Sequence, residues 1–586
     1  MLATAISLLF ACAVAPRIEQ NIEKIDARVC GLFKAFGEDG YDIKKVKTYN
    51  QRIGIMAEHR SAVNYETKKR KRVYYVEGNP YEMGYLLGLM AEEEIHRMTT
   101  DFTNKIIPAF INSQKSRRPE GIRGIVASLV YELSQAMGAE IPSELRYEMK
   151  GIVAGCKHAN PKTQVSEKEL IALNVGFDVL LALVYRPDFL LHKKIPDLRP
   201  EELNLPLMCN GFAIFDEAAG NGHYFGRDFM FPTAGVFHDT ACLMIYNPSE
   251  NPGRTSLPIV SMTAPGMVGS IAAMNINGVA VGVDMSPGAN CDPSNVGINS
   301  LLLVRHCTQG GRTAEGVVET MTNSKRGVSW TYIVADGTTN KDKACVVEAG
   351  CTTDHPDFLT HPPKELKKYL PDENFMKTHP SAEFRKGMMV RWAGYQYPDA
   401  YLTFNGDLWK YFGKKLHGDA FDPRGYINKF LDKNKTELIE ENCPFTYYFA
   451  PQRETTDNIV MVTNHYLIPE MRFYAMTDWI SGLVGDKVND IQWRYDELNN
   501  QILTALETKG SIDYGTAKRL IDFLAPYGKY PSYYDTNPKS EDGKEIRIEG
   551  STSLFDLKNR TVESHFGYYC DGWIKITLPK YVDGKK

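Results

Sequence analysis

The feature that most constrains the fold is a change of residue pattern close to position 209. Upstream, stretches such as NPYEMGYLLGLMAEEEIHRMTTDFTNKIIPAFI carry apolar residues at helical spacing, with charged residues between them. Downstream, short runs rich in Val, Ile, Phe and Tyr alternate with turn residues, as in GFAIF, HYFGRDFMF, GVAVGVDM and TYIVAD. The pattern predicts a mainly helical part over residues 16–208 and a β-rich part over residues 209–586.

Helical patterns interrupt the β-rich part at NSLLLVRHCTQGGRTAEGVVETM and at IQWRYDELNNQILTALE. The polar, proline-containing stretch PDLRPEELNLPLM ahead of position 209 is typical of an exposed connector. Residues from about 352 to 440 are interpreted as an insert, either a lid over a substrate or a surface elaboration. With 586 residues, the chain exceeds the ~250–300 at which one core stops growing, so at least two packed units are expected.

The first residues, MLATAISLLFACAVAP, contain an apolar stretch of the length of a signal-peptide core, shorter than the ~20 residues of a membrane span. We expect residues 1–15 to be a signal segment and the protein to be secreted or located in the periplasm or cell envelope. A lipoprotein signal ending at Cys12 and a buried helix are the alternatives. Because no other apolar stretch approaches spanning length, we expect no integral membrane span.

Charge and composition limit the partners. The net charge of −4 provides no basic surplus, which argues against a nucleic-acid partner. The basic run KKRKR, Lys68 to Arg72, is interpreted as a solvated face or turn. With 43% hydrophobic and 24% charged residues, the chain has an ordinary globular composition.

The common short motifs of enzymes are missing from the sequence. Its 11 cysteines are scattered, without a CxxC pair or a Cys/His cluster at zinc spacing. HExxH, GxSxG, GxxxxGK[ST] and GxGxxG are absent as well. Any chemistry must therefore rest on a nucleophile that these motifs do not mark.

Cys209 is a candidate for that nucleophile. If the Met208–Cys209 bond were cut, Cys209 would carry both a thiol and an α-amino group able to act as its base. The ordinary pKa values of the two groups, about 8.5 and about 7.7–8.0, lie within about two units of neutral pH. The nearby Arg227 would stabilise a thiolate. From spacing alone, Cys209 also fits the simpler alternative of a small buried hydrophobe in a strand.

Several segments, in this order, resemble a known family: CNGFAIF…NGHYFGRDFMF, MNINGVAVGVD, LLLVRHCTQGGRTAEGVVETM, TYIVADGTTNKDKACVVEAG and IVMVTNHY. They are similar to the choloylglycine hydrolase and acyl-coenzyme A:6-aminopenicillanic acid acyltransferase group of N-terminal-nucleophile hydrolases. VEGNPYEMGYLLGLMAEEEI, ahead of the cysteine, resembles the propeptide of the acyltransferase branch. The resemblance implies an α+β fold, a four-layer αββα sandwich preceded by a mainly helical propeptide, in a precursor that cleaves itself before Cys209.

The resemblance also implies roles for individual residues. Cys209 would attack a carbonyl carbon while its own amine takes and returns the proton. Asn464, in VTNHY, would be an oxyanion-hole side chain, although an Asn that caps a strand or turn is the alternative. Arg227 would lie close to the sulfur. Arg494, in IQWRYDEL, would order the polar network of the site, or else be a surface arginine.

Two positions depart from the family pattern. The second strand usually ends in Arg-Asn-x-Asp, with the last carboxylate holding the new amino terminus, whereas here Arg227 is followed directly by Asp228. Asp228 could serve the amine only if the strand were shifted, and otherwise it would pair with Arg227. Asp284 replaces an Asn that helps to form the oxyanion hole. A backbone contact would tolerate that change, while a side-chain contact would repel the oxyanion.

The expected function is that of an amidohydrolase or acyltransferase that opens non-peptide C–N bonds of small N-acylated molecules through a thioester. The resemblance implies no metal and no organic cofactor, and the cleaved N-terminal segment is expected to stay bound as a partner. A phospholipase B-like ester hydrolase on the same site and a catalytically inactive binding protein remain alternatives. A papain-type protease is disfavoured because its cysteine motif is absent.

Overall fold

The computed structural model describes residues 27–109, 121–185, 208–231, 233–249, 256–286, 291–338, 341–351, 382–397, 457–468, 471, 490–523 and 547–582. The predicted signal segment and the connector ahead of residue 208 lie outside these residues, as do 352–381 and 398–440 of the predicted insert. The described part of that insert, 382–397, contains a hairpin at the edge of a sheet.

The described part of the chain contains ten α-helices and seventeen strands. The helices are α1 (Ala27–Glu38), α2 (Pro80–Asp101), α3 (Gly121–Met137), α4 (Ser143–Ala159), α5 (Glu167–Tyr185), α6 (Phe237–Thr240), α7 (Ser300–Gly310), α8 (Ala314–Asn323), α9 (Asp490–Lys509) and α10 (Tyr514–Phe523). The strands are β1 (Tyr41–Tyr49), β2 (Arg52–Val63), β3 (Arg70–Gly78), β4 (Met208–Asp216), β5 (Gly222–Met230), β6 (Cys242–Pro248), β7 (Ile259–Thr263), β8 (Ala272–Asn275), β9 (Val279–Asp284), β10 (Trp330–Asp336), β11 (Ala344–Ala349), β12 (Ala382–Arg385), β13 (Met388–Trp392), β14 (Ile459–Val462), β15 (Arg547–Asp556), β16 (Thr561–Tyr568) and β17 (Ile574–Thr577).

The strands form two large sheets. One has 11 strands in the order β1-β2-β3-β6-β7-β8-β9-β10-β11-β13-β12, and the other has six in the order β14-β4-β5-β15-β16-β17. The pair β3–β6 is parallel, and the other described neighbours are antiparallel. The molecule is therefore a mixed α+β protein, and the predicted fold class is confirmed at that level.

The strands predicted after position 209 are present, but the sequence pattern missed three strands before it. β1, β2 and β3 form a meander within the part predicted to be mainly helical. In β1, YDIKKVKTY, a bulge between Ile43 and Lys45 breaks the alternation of apolar and polar residues. This irregularity removes the period of two on which recognition of a strand depends.

The N-terminal part shares a sheet with the rest of the chain. β3 pairs with β6 from Arg72↔Cys242 to Gly78↔Pro248. Behind this junction, helix α2 packs tightly on α4, where a Cβ atom at Gly84 would lie 2.0 Å from the Glu148 carbonyl oxygen. Only glycine permits so close a backbone approach, which explains the small residues in these two helices.

Strand β4, which carries Cys209, is buried on both faces of the six-stranded sheet. On one face, Cys209 and Ala213 belong to the core that also contains Val281 and Ile333 of the larger sheet. On the other face, Phe212 and Ile214 join a core formed with α9 and α10, whose buried members are Tyr495, Leu498, Ile502, Ala517, Leu520 and Ile521. Because successive strand residues point to opposite faces, Cys209 faces the space between the two sheets.

The basic run is solvated only in part: Lys68, Lys69 and Arg70 are exposed, next to a turn at residues 65–67, whereas Lys71 and Arg72 are not. Lys71 is 3% exposed, and its Nζ lies 3.6 Å from Asp571 Oδ2. Arg72 pairs with Glu94 and, at 3.7 Å, with Glu58. Strand β3 begins at Arg70, and within it the side chains of Lys71 and Arg72 contact carboxylates. Among the described helices, none combines the length and hydropathy needed to cross a membrane.

Candidate active site

Cys209 is the second residue of β4, so the Met208–Cys209 bond lies at the very start of that strand. Cys209 pairs with Phe229 of β5, and its side chain is 1% exposed. Its backbone N–H donates to Asn464 Oδ1 at 2.8 Å. Asn464 follows β14, the strand that borders β4, and this neighbourhood brings together two residues that are 255 positions apart.

Arg494 holds Asn464 and the backbone of Cys209 in one arrangement. Its Nη2 donates to Asn464 Oδ1 at 2.9 Å, and its Nη1 donates to the Cys209 carbonyl oxygen at 3.0 Å. Since a guanidinium only donates, the Asn464 oxygen must face it. The Asn464 amide nitrogen then points the other way and donates to the Met285 carbonyl at 2.7 Å. Arg494 is fully buried near the start of α9 and is therefore no surface arginine.

Asp228 binds the residue after the cysteine rather than the cysteine itself. It pairs with Asn210 across the strands, accepting the Asn210 backbone N–H at 2.5 Å and the side-chain N–H at 2.7 Å. The strand shift that would bring Asp228 to the amine of Cys209 is therefore wrong. Asp228 also forms an ion pair with Arg227, with 3.8 Å between Arg227 Nη1 and Asp228 Oδ1.

Arg227 reaches across the space between the two sheets. Its Nη1 donates to the Asn210 carbonyl at 2.9 Å, and its Nε lies 3.5 Å from Asp284 Oδ2 at the end of β9. Gly282 makes room for it, because a Cβ atom there would lie 2.9 Å from Arg227 Cδ. Both charged side chains are buried, at 1% and 0% exposure.

Burial dominates the electrostatics of the site. It raises the pKa of the Cys209 thiol, against the opposing effects of the Arg227 charge and a hydrogen bond from Asn464. It also raises the pKa of Asp228 to about 7 and that of Asp284 to about 6, although Arg227 and Arg494 oppose both shifts. The raised carboxyl pKa values, with a buried arginine between the two carboxylates, mark this cluster as a candidate functional site, while burial favours the protonated form of the Cys209 thiol.

All six residues predicted for the site come together, and two further groups complete the set. Contacts or electrostatic interactions connect Cys209, Asn464, Arg494, Asp228, Arg227 and Asp284. Sequence reasoning missed Asn210, whose side-chain oxygen accepts from Arg494 Nη1 at 2.6 Å, and the Met285 carbonyl. The position of Asn210 directly after Cys209 was the signal. Within the described ranges, no three metal-ligating side chains cluster.

The arrangement can supply a nucleophile, a cation beside it and an amide able to donate hydrogen bonds. The catalytic roles of the individual residues stay predictions. What the geometry establishes is that both backbone groups of Cys209 are held by side chains, N–H by Asn464 and C=O by Arg494.

Comparison with known proteins gives limited information about family. No family model matches the chain. An uncharacterized protein from Archaeoglobus fulgidus is 29% identical over 509 residues, covering 86% of this chain and 65% of that relative. Two solved variants of the conjugated bile acid hydrolase from Clostridium perfringens are 12% identical, with TM-scores of 0.31 and 0.32. These alignments cover 65% and 64% of this chain and 95% of each variant, and similarity at that level does not establish a shared fold.

Proposed function

We propose that this protein is a self-processing N-terminal-nucleophile hydrolase of the choloylglycine hydrolase and acyltransferase group. It cuts its own Met208–Cys209 bond and then opens the amide C–N bond of small N-acylated molecules through a thioester on Cys209. Water or a second amine then takes the acyl group.

The observation that carries the proposal is the clamp on the Cys209 peptide. The Asn464 oxygen holds the nitrogen of the bond to be cut, at 2.8 Å, and Arg494 holds the carbonyl on the other side of the same residue, at 3.0 Å. Both partners are side chains of the candidate site rather than the backbone of a neighbouring strand, so the site residues themselves fix the backbone of Cys209. Held in this way, the thiol has a fixed relation to its own N-terminal peptide bond, as an intramolecular attack requires.

The surroundings of Cys209 favour an apolar acyl group. Phe229, its cross-strand neighbour, packs against Phe231, with ring centroids 5.2 Å apart. Phe177 of α5 lies 6.1 Å from Phe229 and 6.3 Å from Trp330. Aromatic side chains of this kind would contact the hydrocarbon part of a substrate bound at the thiol.

The N-terminal segment supports the proposal as a retained partner. Beyond the β3–β6 pairing, Glu148 of α4 and Arg305 of α7 form a buried ion pair at 3.2 Å. Asp178 of α5 accepts three hydrogen bonds at the start of α7, from the Asn299 side chain and from the backbone and hydroxyl of Ser300. Removing the segment would break a sheet and leave buried charges unpaired, so the two cut chains should remain together.

The test is denaturing electrophoresis of the purified protein with N-terminal sequencing of each band. We expect a band that begins Cys-Asn-Gly-Phe, and we expect both bands to elute together on size exclusion under native conditions. Cys209→Ser should cleave slowly, because a hydroxyl is the weaker nucleophile, and Cys209→Ala should stay uncut.

Fully cleaved Cys209→Ala protein would refute self-processing. A wild-type chain that stays uncut at mildly acidic and neutral pH would instead support the inactive binding protein. For a cleaved enzyme, turnover of an N-acyl amide and of the matched ester of the same acyl group, compared as kcat/KM, decides the bond that it prefers.

A further inference from the structure

The Arg227–Asp284 pair contains the least satisfied polar groups of the site. Neither oxygen of Asp284 has a hydrogen-bond partner among the described residues, and the same holds for Nε and Nη2 of Arg227. The two side chains face each other at 3.5 Å across the space between the sheets. A buried carboxylate without hydrogen bonds is costly, and in native proteins such groups are commonly catalytic.

Self-cleavage needs a proton acceptor that later turnover does not need. In the uncut chain, the Cys209 nitrogen is a peptide N–H that donates to Asn464, so it has no basic lone pair. The α-amine that serves as base in the mature enzyme exists only after the bond has been cut. Another group must therefore take the thiol proton during the first cleavage.

Two carboxylates act on the Cys209 thiol electrostatically, Asp284 and Asp228. Each oxygen of Asp228 already accepts a hydrogen bond from Asn210, whereas neither oxygen of Asp284 accepts one from the described residues. Asp284 ends β9 in the opposite sheet, and Cys209 belongs to the core between the two sheets. The other charged groups that act on Asp284 are Arg227 from β5 and Arg494 from α9.

We propose that Asp284 accepts the thiol proton of Cys209 during self-cleavage, so that processing and turnover use different bases. The inference rests on the proposed function. It also accounts for the carboxylate at a position where the resemblance implies an Asn: a carboxylate can take a proton from the thiol, and an amide cannot.

The step balances without any oxidant or cofactor. The proton passes from Cys209 Sγ to the Asp284 carboxylate while sulfur bonds to the Met208 carbonyl carbon. The bond between that carbon and the Cys209 nitrogen then breaks, and the nitrogen takes the proton back from Asp284, leaving a thioester and a free amine. Water adds hydroxyl to the Met208 carbon and a hydrogen to sulfur, which releases the two chains.

The pH dependence follows from the protonation of Asp284. Burial raises its pKa to about 6, so the group is mostly ionised at neutral pH and mostly protonated at pH 5. Only the ionised form accepts a proton. The cleavage rate should rise about tenfold per pH unit below 6 and level off above it.

The experiment follows cleavage of the full chain from cell-free synthesis between pH 5 and 8, for wild type, Asp284→Asn, Asp284→Glu and Asp228→Asn. We expect Asp284→Asn to cleave at least about 100-fold more slowly at pH 7 and to lose the inflection near pH 6. Asp284→Glu should retain an inflection at a shifted pH. Asp228→Asn, the matched carboxylate, should slow cleavage but keep the wild-type inflection.

Each remaining outcome is decisive. Wild-type rate and inflection in Asp284→Asn would overturn the proposal. If that variant fails to fold by circular dichroism, Asp284→Glu decides: an inflection that does not move away from the wild-type value overturns the proposal as well. A wild-type chain that never cleaves would instead refute the proposed function itself.

Discussion

Two buried arginine–carboxylate pairs in this protein contain the same charged groups but differ in the number of hydrogen bonds that the carboxylate accepts. Arg391 of β13 donates to Glu348 of β11 at 3.1 Å, and the Glu348 oxygens also accept the backbone N–H groups of Leu467 and Ile468, each at 3.0 Å. Arg227 and Asp284, equally buried, approach only to 3.5 Å, and the carboxylate accepts no hydrogen bond from the described residues. One carboxylate accepts three hydrogen bonds, and the other accepts none from the described residues.

We interpret Glu348 as a residue that stabilises the fold and Asp284 as a residue of the proposed active site. Glu348 fastens the segment after β14, which carries Asn464, to the larger sheet. Its two oxygens accept three hydrogen bonds, which fix its position. Asp284 accepts none from the described residues and acts electrostatically on the Cys209 thiol. A buried ion pair in this fold should therefore be judged by its remaining partners and not by its charge alone.

The largest expected effect is on stability and tests the comparison directly. In an uncut Cys209→Ala background, Glu348→Gln places an NH₂ group against backbone N–H donors and removes the carboxylate charge that Arg391 contacts at 3.1 Å. We expect a loss of about 3–5 kcal/mol in the free energy of unfolding. Asp284→Asn removes no hydrogen bond from a described residue, and Arg227 keeps the Asp228 carboxylate at 3.8 Å, so the loss should be smaller, about 1 kcal/mol.

Urea unfolding at pH 7, followed by circular dichroism, measures both changes as shifts of the midpoint. Equal losses for the two variants would mean that Asp284 is as structural as Glu348, and the distinction between the pairs would fail.

The next effect is on rate. Arg494 spans three acceptors, on Cys209, Asn210 and Asn464, with one planar fork. Lysine carries a point charge and cannot reproduce that geometry. Arg494→Lys should therefore slow self-cleavage about 10–100-fold, equivalent to about 1.4–2.7 kcal/mol in the barrier.

Arg391→Lys is the matched control for that variant, since it makes the same substitution in the scaffold pair. It should lower the urea midpoint and change the cleavage rate by less than about threefold. Band intensities on denaturing gels give both rates. A larger rate effect at Arg391 than at Arg494 would invert the assignment of scaffold and site.

Much of the fold after position 209 could be predicted from sequence, because its strands are regular and bounded by turn residues. GVAVGVDM, TYIVAD and KACVVEAG became β9, β10 and β11. The strands before it could not, since β1 carries a bulge and lysines where a period of two is needed. The parallel junction of β3 with β6 joins residues about 170 positions apart, a distance that local patterns do not encode.

The site was predictable only through the order of several weak motifs. No local rule connects Cys209 with Asn464, and their contact depends on β14 lying beside β4. The sequence singles out Asp228, but the partner of its carboxylate depends on cross-strand register, which the sequence leaves open by one residue. No described residue donates a hydrogen bond to Asp284, and this depends on how the two sheets pack, which the sequence pattern does not predict.

The smallest expected effect is a pH-dependent difference in stability that isolates the free carboxylate. The folded-state pKa of Asp284, about 6, lies above its ordinary value near 3.8. Its contribution to stability is therefore complete below about pH 4 and is lost as the pH rises through 6. Against Asp284→Asn, the Cys209→Ala parent should lose about 1 kcal/mol of unfolding free energy between pH 5 and pH 7.

Both proteins retain Asp228, so its own titration cancels in the difference. Urea midpoints across this range measure the effect. A difference that falls between pH 5 and 6 and levels off above pH 6, where the cleavage rate also levels off, would assign both to one carboxyl group, whereas a flat difference would mean that Asp284 does not titrate there and cannot set the rate.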